Sequence, residues 1–479
     1  MKNYEQYKRL MRSFFCIMLL AAQVIMFWYV WRETYSPLME SPYWRKGHWL
    51  IAAVYLFLVF IFPRIYGGWQ VGYLRVFNIV YSQFLGTLLA NVTMYFIITL
   101  LTKHFENPGM LILMTICQTV VIVLWAVITN RIYQRAYPPR KVLLVYGDRP
   151  AAGLMKKLHT REDRFEIGEM VHISEGVERI EARIVDEEKG YGGVVICDIP
   201  SGERNRILKY CYGRGIRTYT TPKISDVLIR SAESQHMFDT PLLMSRNTGL
   251  TIEQRAIKRA VDIVISLAAC IPAVPIMAIV ALCIKLDDGG SVFYKQKRLT
   301  KYGRVFEVYK FRTMKEENSI HKSVTENDDR ITKVGKYLRK FRVDELPQLL
   351  NILKGDMTVV GPRPEMLENV EKYTEELPEF SYRLRMKAGL TGLAQISGKY
   401  NTSPKDKLVM DLMYIENYSI WMDIKLIFQT ITVFLKASES TEAFGSQELY
   451  DFDEDRERKR KAAQEGKDAP KNGEKGKKG

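Results

Sequence analysis

Residues 258–290 read KRAVDIVISLAACIPAVPIMAIVALCIKLDDGG. How this run meets a membrane decides where everything after it lies. The apolar part, 260–286, is long enough to cross a bilayer as a helix, for which about 20 residues suffice. Pro272 and Pro275 sit near its middle, where a proline removes a backbone hydrogen bond and kinks a helix. Two readings compete: a kinked span, or a helical hairpin that enters, bends at the prolines and leaves on the side it came from. Lys258 and Arg259 precede the run, and Lys295, Lys297 and Arg298 follow it. A full crossing leaves one basic cluster on the outer face, against the positive-inside tendency. The hairpin is therefore the favoured expectation.

Upstream, four further apolar runs occupy about 14–31, 49–66, 76–101 and 110–129. Each predicts a membrane helix, and Trp28, Trp31, Trp44, Trp49 and Trp69 near their ends suit the interfacial belts. Lys8, Arg9 and Arg12, then Arg64 and Arg75, then Arg131, Arg135 and Arg140 favour a cytoplasmic N-terminus, second loop and downstream portion. Arg32, Arg45 and Lys46 in the first loop oppose this mildly. The four runs carry few polar residues. The whole chain of 479 residues is 47% hydrophobic and 26% charged, with a net charge of +16, and the apolar runs and the charge are segregated. No zinc finger, RNA-binding signature or basic zipper accompanies the excess Lys and Arg, so nucleic acid is not an expected partner. The six cysteines include no C-x-x-C pair and the six histidines no metal-ligand spacing, which points away from zinc.

Between the fourth run and the fifth, β-rich stretches at 141–146, 194–198 and 216–220 alternate with helical patterns, as at 151–159. This predicts a small parallel sheet. Gly147 and Gly153 do not make G-x-G-x-x-G, so dinucleotide binding is not expected there. An assembly role, with dimer contacts, is the expectation instead. Residues 441–479 are charged and expected to be disordered.

The chemistry is concentrated at 339–364, RKFRVDELPQLLNILKGDMTVVGPRP. Asp344 can cap a helix with Pro347 in its first turn and Gly355 at its end. Asp344 and Glu345 would then lie at a helix N-terminus that favours anions. One carboxylate can attack phosphorus while the other holds a hard cation such as Mg²⁺, which accepts one or two carboxylates and completes its shell with phosphate and water. Asp-Glu alone reads as plain helix capping. The neighbours shift that reading: Lys310 and Arg312 flank Phe311, Arg363 is fixed between two prolines, and Arg339 lies five residues before Asp344. Together these cations describe a site for a pyrophosphate.

These residues resemble the bacterial sugar transferases, the polyprenyl-phosphate glycosyl-1-phosphate transferases. The similar pieces are Lys258-Arg259 with Asp262, VFYKQKR at 292–298, KFRTM at 310–314, DELPQ at 344–348, GPRP at 361–364, GLTGLAQ at 389–395, and DLMY at 411–414 with Asn417. They cover about 160 residues in the family's order. The upstream portion resembles the long form found in exopolysaccharide and capsule assembly. Three positions depart from the family: Val274 where Ser usually precedes the proline, Thr300 where Gly is usual, and Ala388 where Pro is usual.

The resemblance implies a multi-domain membrane protein. Its parts are four transmembrane helices (1–137), a Rossmann-like α/β domain (138–247), and a mainly helical catalytic domain (248–440) with a re-entrant membrane helix at 260–286. It implies a bacterial cytoplasmic (inner) membrane enzyme, its catalytic domain on the cytoplasmic face, that moves a sugar-1-phosphate from a UDP-sugar to undecaprenyl phosphate. Asp344 would be the nucleophile and Glu345 the ligand of Mg²⁺ (Mn²⁺ as substitute). Lys310, Arg312 and Arg339 would contact phosphate, Arg363 would serve the nucleotide end, and Asp411 would support the substrate site. The bilayer and a second copy in a homodimer are the other expected partners. A flippase and an inactive scaffold are the rival classes; scarce polar residues in the spans argue against the first, and the intact Asp344 and Glu345 against the second.

Overall fold

The computed structural model describes residues 7–39, 45–147, 152–186, 188–245, 249–314, 331–398 and 402–435. The charged tail expected at 441–479 lies outside the described residues. Residues 7–129 together with 222–435 form one compact unit, and Asn130–Thr221 belongs to another.

The four N-terminal apolar runs become α1 (Tyr7–Val30), α2 (Arg45–Tyr66), α3 (Val76–Thr102) and α4 (Gly109–Ala136). With the fifth apolar helix, five helices are long and apolar enough to cross a membrane. Gly86 of α3 lies directly against Pro63 of α2, where a side chain would collide with the proline ring. Phe27 of α1 stacks on Tyr55 of α2 at 3.9 Å between ring centroids. The few polar residues of these helices are not scattered, as the sequence alone would allow. Gln118 Nε2 donates to Tyr55 Oη and Tyr55 Oη to Asn91 Oδ1, both at 2.8 Å. Asn91 Nδ2 donates to Gln118 Oε1 and Thr115 Oγ1, again at 2.8 Å. Gln23 Nε2 reaches Thr87 Oγ1 at 3.0 Å, and Gln118 Nε2 the Gln23 carbonyl at 3.4 Å. All four helices thus share one buried polar network. In hydrocarbon such pairs act as interhelical glue, each worth about 1 kcal/mol.

The second unit follows the expected alternation. β1 (Arg140–Tyr146), α5 (Ala152–His159), β2 (Phe165–His172), α6 (Val177–Ile184), β3 (Gly193–Cys197), α7 (Ser201–Gly213) and β4 (Arg217–Thr220) build a parallel sheet in the order β2-β1-β3-β4. β3 is buried throughout, which is why its apolar run reads so plainly in sequence. β2 mixes Glu166, Gly168 and Glu169 with apolar residues and has only Val171 buried, so it escaped the sequence reading. The compact unit ends at Thr221: α8 (Ile224–Arg230) instead packs Val227 with Val370, Phe380 and Leu408. An exposed antiparallel hairpin follows, β5 (Glu233–Met237) and β6 (Thr240–Met244).

The remaining elements form the module that carries the chemistry. α9 (Ile252–Asp288) starts at a capping box between Thr251 and Gln254 and ends at the left-handed Gly289. The helix runs on through Pro272 and Pro275. An antiparallel ribbon, β7 (Phe293–Leu299) and β8 (Val305–Phe311), follows. Then come α10 (Lys333–Lys340), α11 (Gln348–Lys354), β9 (Thr358–Val360), α12 (Leu367–Glu376), β10 (Gly389–Thr391), α13 (Leu393–Ser397), α14 (Pro404–Glu416) and α15 (Ile420–Leu435).

Polar residues near the start of α9 fasten it to this module. Lys258 Nζ meets Asp423 Oδ2 at 2.6 Å, both nearly inaccessible. Tyr414 Oη donates to Asp423 Oδ1 at 2.5 Å. Asp262 accepts from Thr358 Oγ1 and from the Val359 amide, at 2.8–2.9 Å. At the other end of α9, Val280 and Ile284 pack with Phe311 and Leu338, and Asp287 Oδ2 accepts from the Val334 amide at 3.3 Å. α15 reaches the helical bundle, where Phe428 packs against Phe62 and Tyr66 and Gln429 Nε2 donates to the Ile65 carbonyl at 3.3 Å.

Candidate active site

The chain leaves α10 and reverses at Arg342, whose φ of 51° is left-handed, a conformation that costs a non-glycine residue about 1–2 kcal/mol. A 3₁₀ turn, Val343–Glu345, follows and presents both carboxylates. This differs from the expected helix cap at Asp344. Arg342, not Asp344, is the non-helical residue that enters the turn. The turn closes through the Leu346 amide on the Val343 carbonyl, and α11 begins only at Gln348, with Pro347 as its N-cap. A seven-residue helix starting four residues downstream supplies no dipole to Asp344. The charge around it comes from side chains instead. Gly355, at φ 94°, ends α11 as expected, and Arg259 adds to that end by donating to the Ile352 and Leu353 carbonyls at 2.6 and 2.7 Å, the first of which also accepts from the Gly355 amide.

Asn351 ties α11 to the ribbon. Its Oδ1 accepts from the Tyr309 amide at 3.0 Å and its Nδ2 donates to the Glu307 carbonyl at 2.7 Å. This sets the register of β8, and hence the place of Lys310. Lys310 Nζ then lies 3.1 Å from Glu345 Oε1, and Arg363 Nη2 lies 3.6 Å from the same oxygen. Arg339, on α10, donates to Thr313 Oγ1 at 2.9 Å and is close enough to act on the Asp344 carboxyl. Lys310, Arg339 and Arg363 therefore surround the carboxylate pair. Arg312 does not line it openly: it is 7% exposed, with its guanidinium laid over Gly290. Asp411 is buried, its Oδ2 accepting from Arg383 Nε at 2.9 Å, so it meets the site through Arg383.

The two adjacent carboxyls are driven apart. Burial pushes Asp344 up to about 6, and neighbouring Glu345 adds to this against the pull of Lys310 and Arg339. Glu345 moves down: burial opposes its ionisation but is outweighed by Lys310, Arg363 and Arg342. A pair split in this way assigns roles. Glu345 stays a fixed anion, while Asp344 is the more basic group and so the better nucleophile once ionised. Both cationic contacts on Glu345 fall on Oε1. The pair offers oxygen donors only, the chemistry Mg²⁺ prefers, and Mg²⁺ needs few protein ligands when phosphate and water supply the rest. Among the described residues no cluster of three or more His, Cys, Asp or Glu could hold a metal on its own.

Sequence reasoning passed over Asn351, Glu365 and Arg383. Asn351 and Glu365 lie inside or next to quoted motifs, where a buried polar residue among Leu and Ile, or a carboxylate following GPRP, was a usable signal. Arg383 carries none, because its partner Asp411 is 28 residues away. Two departures from the family pattern meet each other: Thr300 Oγ1 donates to the Asp356 carbonyl at 2.9 Å and accepts from the Ala388 amide at 3.2 Å. Proline at 388 could not make the second bond.

A ribbon-and-helix module with a membrane-type helix at its start thus carries an Asp-Glu pair ringed by cations, an arrangement suited to a phosphate. A model of the bacterial sugar transferase family matches residues 253–437. The exopolysaccharide production protein PSS of Rhizobium leguminosarum is 42% identical over 186 residues, 36% of this chain and 93% of that protein. The chain belongs to the bacterial sugar transferase family. It is also 35% identical over 240 residues to the UDP-N-acetylgalactosamine-undecaprenyl-phosphate N-acetylgalactosaminephosphotransferase of Aeromonas hydrophila, 49% of this chain and 56% of that protein. With the UDP-glucose:undecaprenyl-phosphate glucose-1-phosphate transferase of Escherichia coli it shares 36% identity over 217 residues, 44% and 47% of the two chains. The chain thus spans about half the length of these two relatives.

Proposed function

We propose that this protein transfers a sugar-1-phosphate from a UDP-sugar to undecaprenyl phosphate, as the first membrane step in assembling an exopolysaccharide, capsule or related glycoconjugate. The observation that carries the reading is the split carboxylate pair beside Lys310 and Arg363: burial raises Asp344, and neighbouring cations lower Glu345. The names of the Aeromonas and Escherichia relatives, which state this reaction type for those proteins, support it.

In the first step an ionised Asp344 oxygen attacks the sugar-bearing phosphorus. The bond from that phosphorus to the bridging oxygen breaks, and UMP leaves with the electron pair. An aspartyl-phosphosugar remains. In the second step an oxygen of the carrier phosphate attacks the same phosphorus and expels the Asp344 carboxylate, leaving polyprenyl-diphosphate-sugar. Lys310 and Arg339 meet the charge at the reacting phosphate and Arg363 the nucleotide side, while the carboxylate of Glu345 keeps Lys310 and Arg363 in register. Glu345 would hold Mg²⁺ or Mn²⁺, which supplies charge neutralisation on the diphosphate.

The site belongs at the cytoplasmic face of the inner membrane, with α9 re-entrant. Its support is that the two ends of α9 pack on the same module: Arg259 and Asp262 on α11 and β9, Val280 and Ile284 on Phe311 and Leu338. As a straight helix these points lie roughly 30 Å apart, about one hydrocarbon core, and a spanning helix would hold its two ends on opposite faces. A homodimer remains part of the proposal.

The test is incubation of membranes bearing the full-length protein with undecaprenyl phosphate and a panel of labelled UDP-sugars, followed by mass analysis of the lipid fraction. One UDP-sugar should give a polyprenyl-diphosphate-sugar and stoichiometric UMP. No lipid-linked diphosphate with any member of the panel refutes the reading.

A further inference from the structure

We infer that Arg383, oriented by Asp411, is a positioning residue that sets the backbone of the 361–364 loop and thereby the reach of Arg363; this rests on the reading of Arg363 as a nucleotide-side contact. The loop is held one backbone group at a time. The Gly361 amide donates to the Thr391 carbonyl and the Gly389 amide to the Pro362 carbonyl, both at 2.8 Å, so β10 fixes the first half. The second half has side-chain partners. Arg383 Nη2 donates to the Arg363 carbonyl at 2.9 Å, and Arg298 Nη1 to the Pro364 carbonyl at 3.1 Å. Proline rings fix φ at 362 and 364, and Pro364 holds Arg363 to extended backbone. Within that region the guanidinium of Arg383 anchors the Arg363 carbonyl.

That guanidinium is itself placed by charge. Its side chain is 4% exposed, and a buried cation needs ionised partners in good geometry. Asp411 Oδ2 lies 2.8 Å from Nη2 and 2.9 Å from Nε, and Glu365 Oε1 lies 3.9 Å from Nη1. Lys407, 3.4 Å from Glu365, closes the network. Asp411 is too buried to touch substrate, at 1% exposure; its hydrogen bonds to Arg383 are the path by which it meets the loop.

The test uses purified full-length protein and UDP as the probe, with affinity measured by calorimetry in four forms: wild type, Asp411→Asn, Arg363→Ala and the double variant. Asp411→Asn should weaken UDP about tenfold in the wild-type background and no more than about twofold when Arg363 is already alanine, since the cycle removes the shared term. Arg383→Lys, which keeps the charge but not the fork that spans Asp411 and the Arg363 carbonyl, should behave as Asp411→Asn does and carries the same comparison should the Asn variant not fold. An equal loss in both backgrounds, or none in either, overturns the proposal. Failure of wild type to bind UDP refutes instead the functional reading on which it rests.

Discussion

Replacing Asp344 with asparagine should abolish turnover and at the same time stabilise the protein. The native carboxyl is raised from 3.8 to about 6, chiefly by burial. That is about two pKa units, each worth about 1.4 kcal/mol, so ionised Asp344 costs the folded state up to about 3 kcal/mol at neutral pH. The sign follows from the direction of the shift. A carboxyl whose folded value exceeds its unfolded value destabilises fully above the folded value, near 6, and not at all below the unfolded value, near 4. Asparagine has the same shape and no charge, so it removes this penalty. Thermal unfolding of the detergent-solubilised full-length protein at pH 7.5 should rise by about 5 °C or more, at a few degrees per kcal/mol for a module of this size. The gap between variant and wild type should shrink as pH falls from 6 to 4. A lower melting temperature for Asp344→Asn, or a gap that does not change with pH, refutes the reasoning that burial has tuned this carboxyl.

Activity should rise with pH through a limb near 6 as Asp344 ionises; a rate independent of pH between 5 and 8 removes that carboxylate from the rate-determining chemistry. Excess chelator should stop lipid-product formation and added Mg²⁺ or Mn²⁺ restore it, whereas unchanged rates exclude a metal. Lys258→Met should lower thermal stability by an amount matching about 3–5 kcal/mol, because it leaves Asp423 buried without its ion pair at 2.6 Å; a change below 1 kcal/mol contradicts this. Single cysteines near Glu253 and near Lys301, in a background lacking native cysteines, should both resist an impermeant thiol reagent in intact cells. Labelling at the Lys301 site alone shows a full crossing by α9.

The parts of the molecule legible in the sequence are those whose physics is local. The four N-terminal helices follow from run length and interfacial aromatics; three expected runs fall inside an observed helix, and the first, 14–31, passes the end of α1 by one residue. β1, β3 and β4 follow from short β-rich runs between helical patterns. What was not legible depends on partners distant in the chain. The bundle's polar network joins Gln23 to Gln118 across 95 residues, so its members read singly as a few stray polar side chains. The ribbon is tied to α11 by Asn351, 42 residues from Tyr309. The cap expected at Asp344 failed because the sequence does not reveal that Arg342 takes the left-handed turn before it. The carboxylate pair itself was legible, but its electrostatics were attributed to a helix end when they come from burial and from Lys310, Arg339, Arg342 and Arg363.

The central claim is that Asp344 carries the sugar phosphate between the two substrates. Full-length protein incubated with its UDP-sugar in the absence of any polyprenyl phosphate should release about one UMP per active site, and mass analysis of its peptides should find a hexose-phosphate-type increment on the peptide containing Asp344. Subsequent addition of undecaprenyl phosphate should remove that increment and yield the lipid product. UMP release that requires the lipid acceptor, with no adduct on Asp344 at any time, contradicts the account.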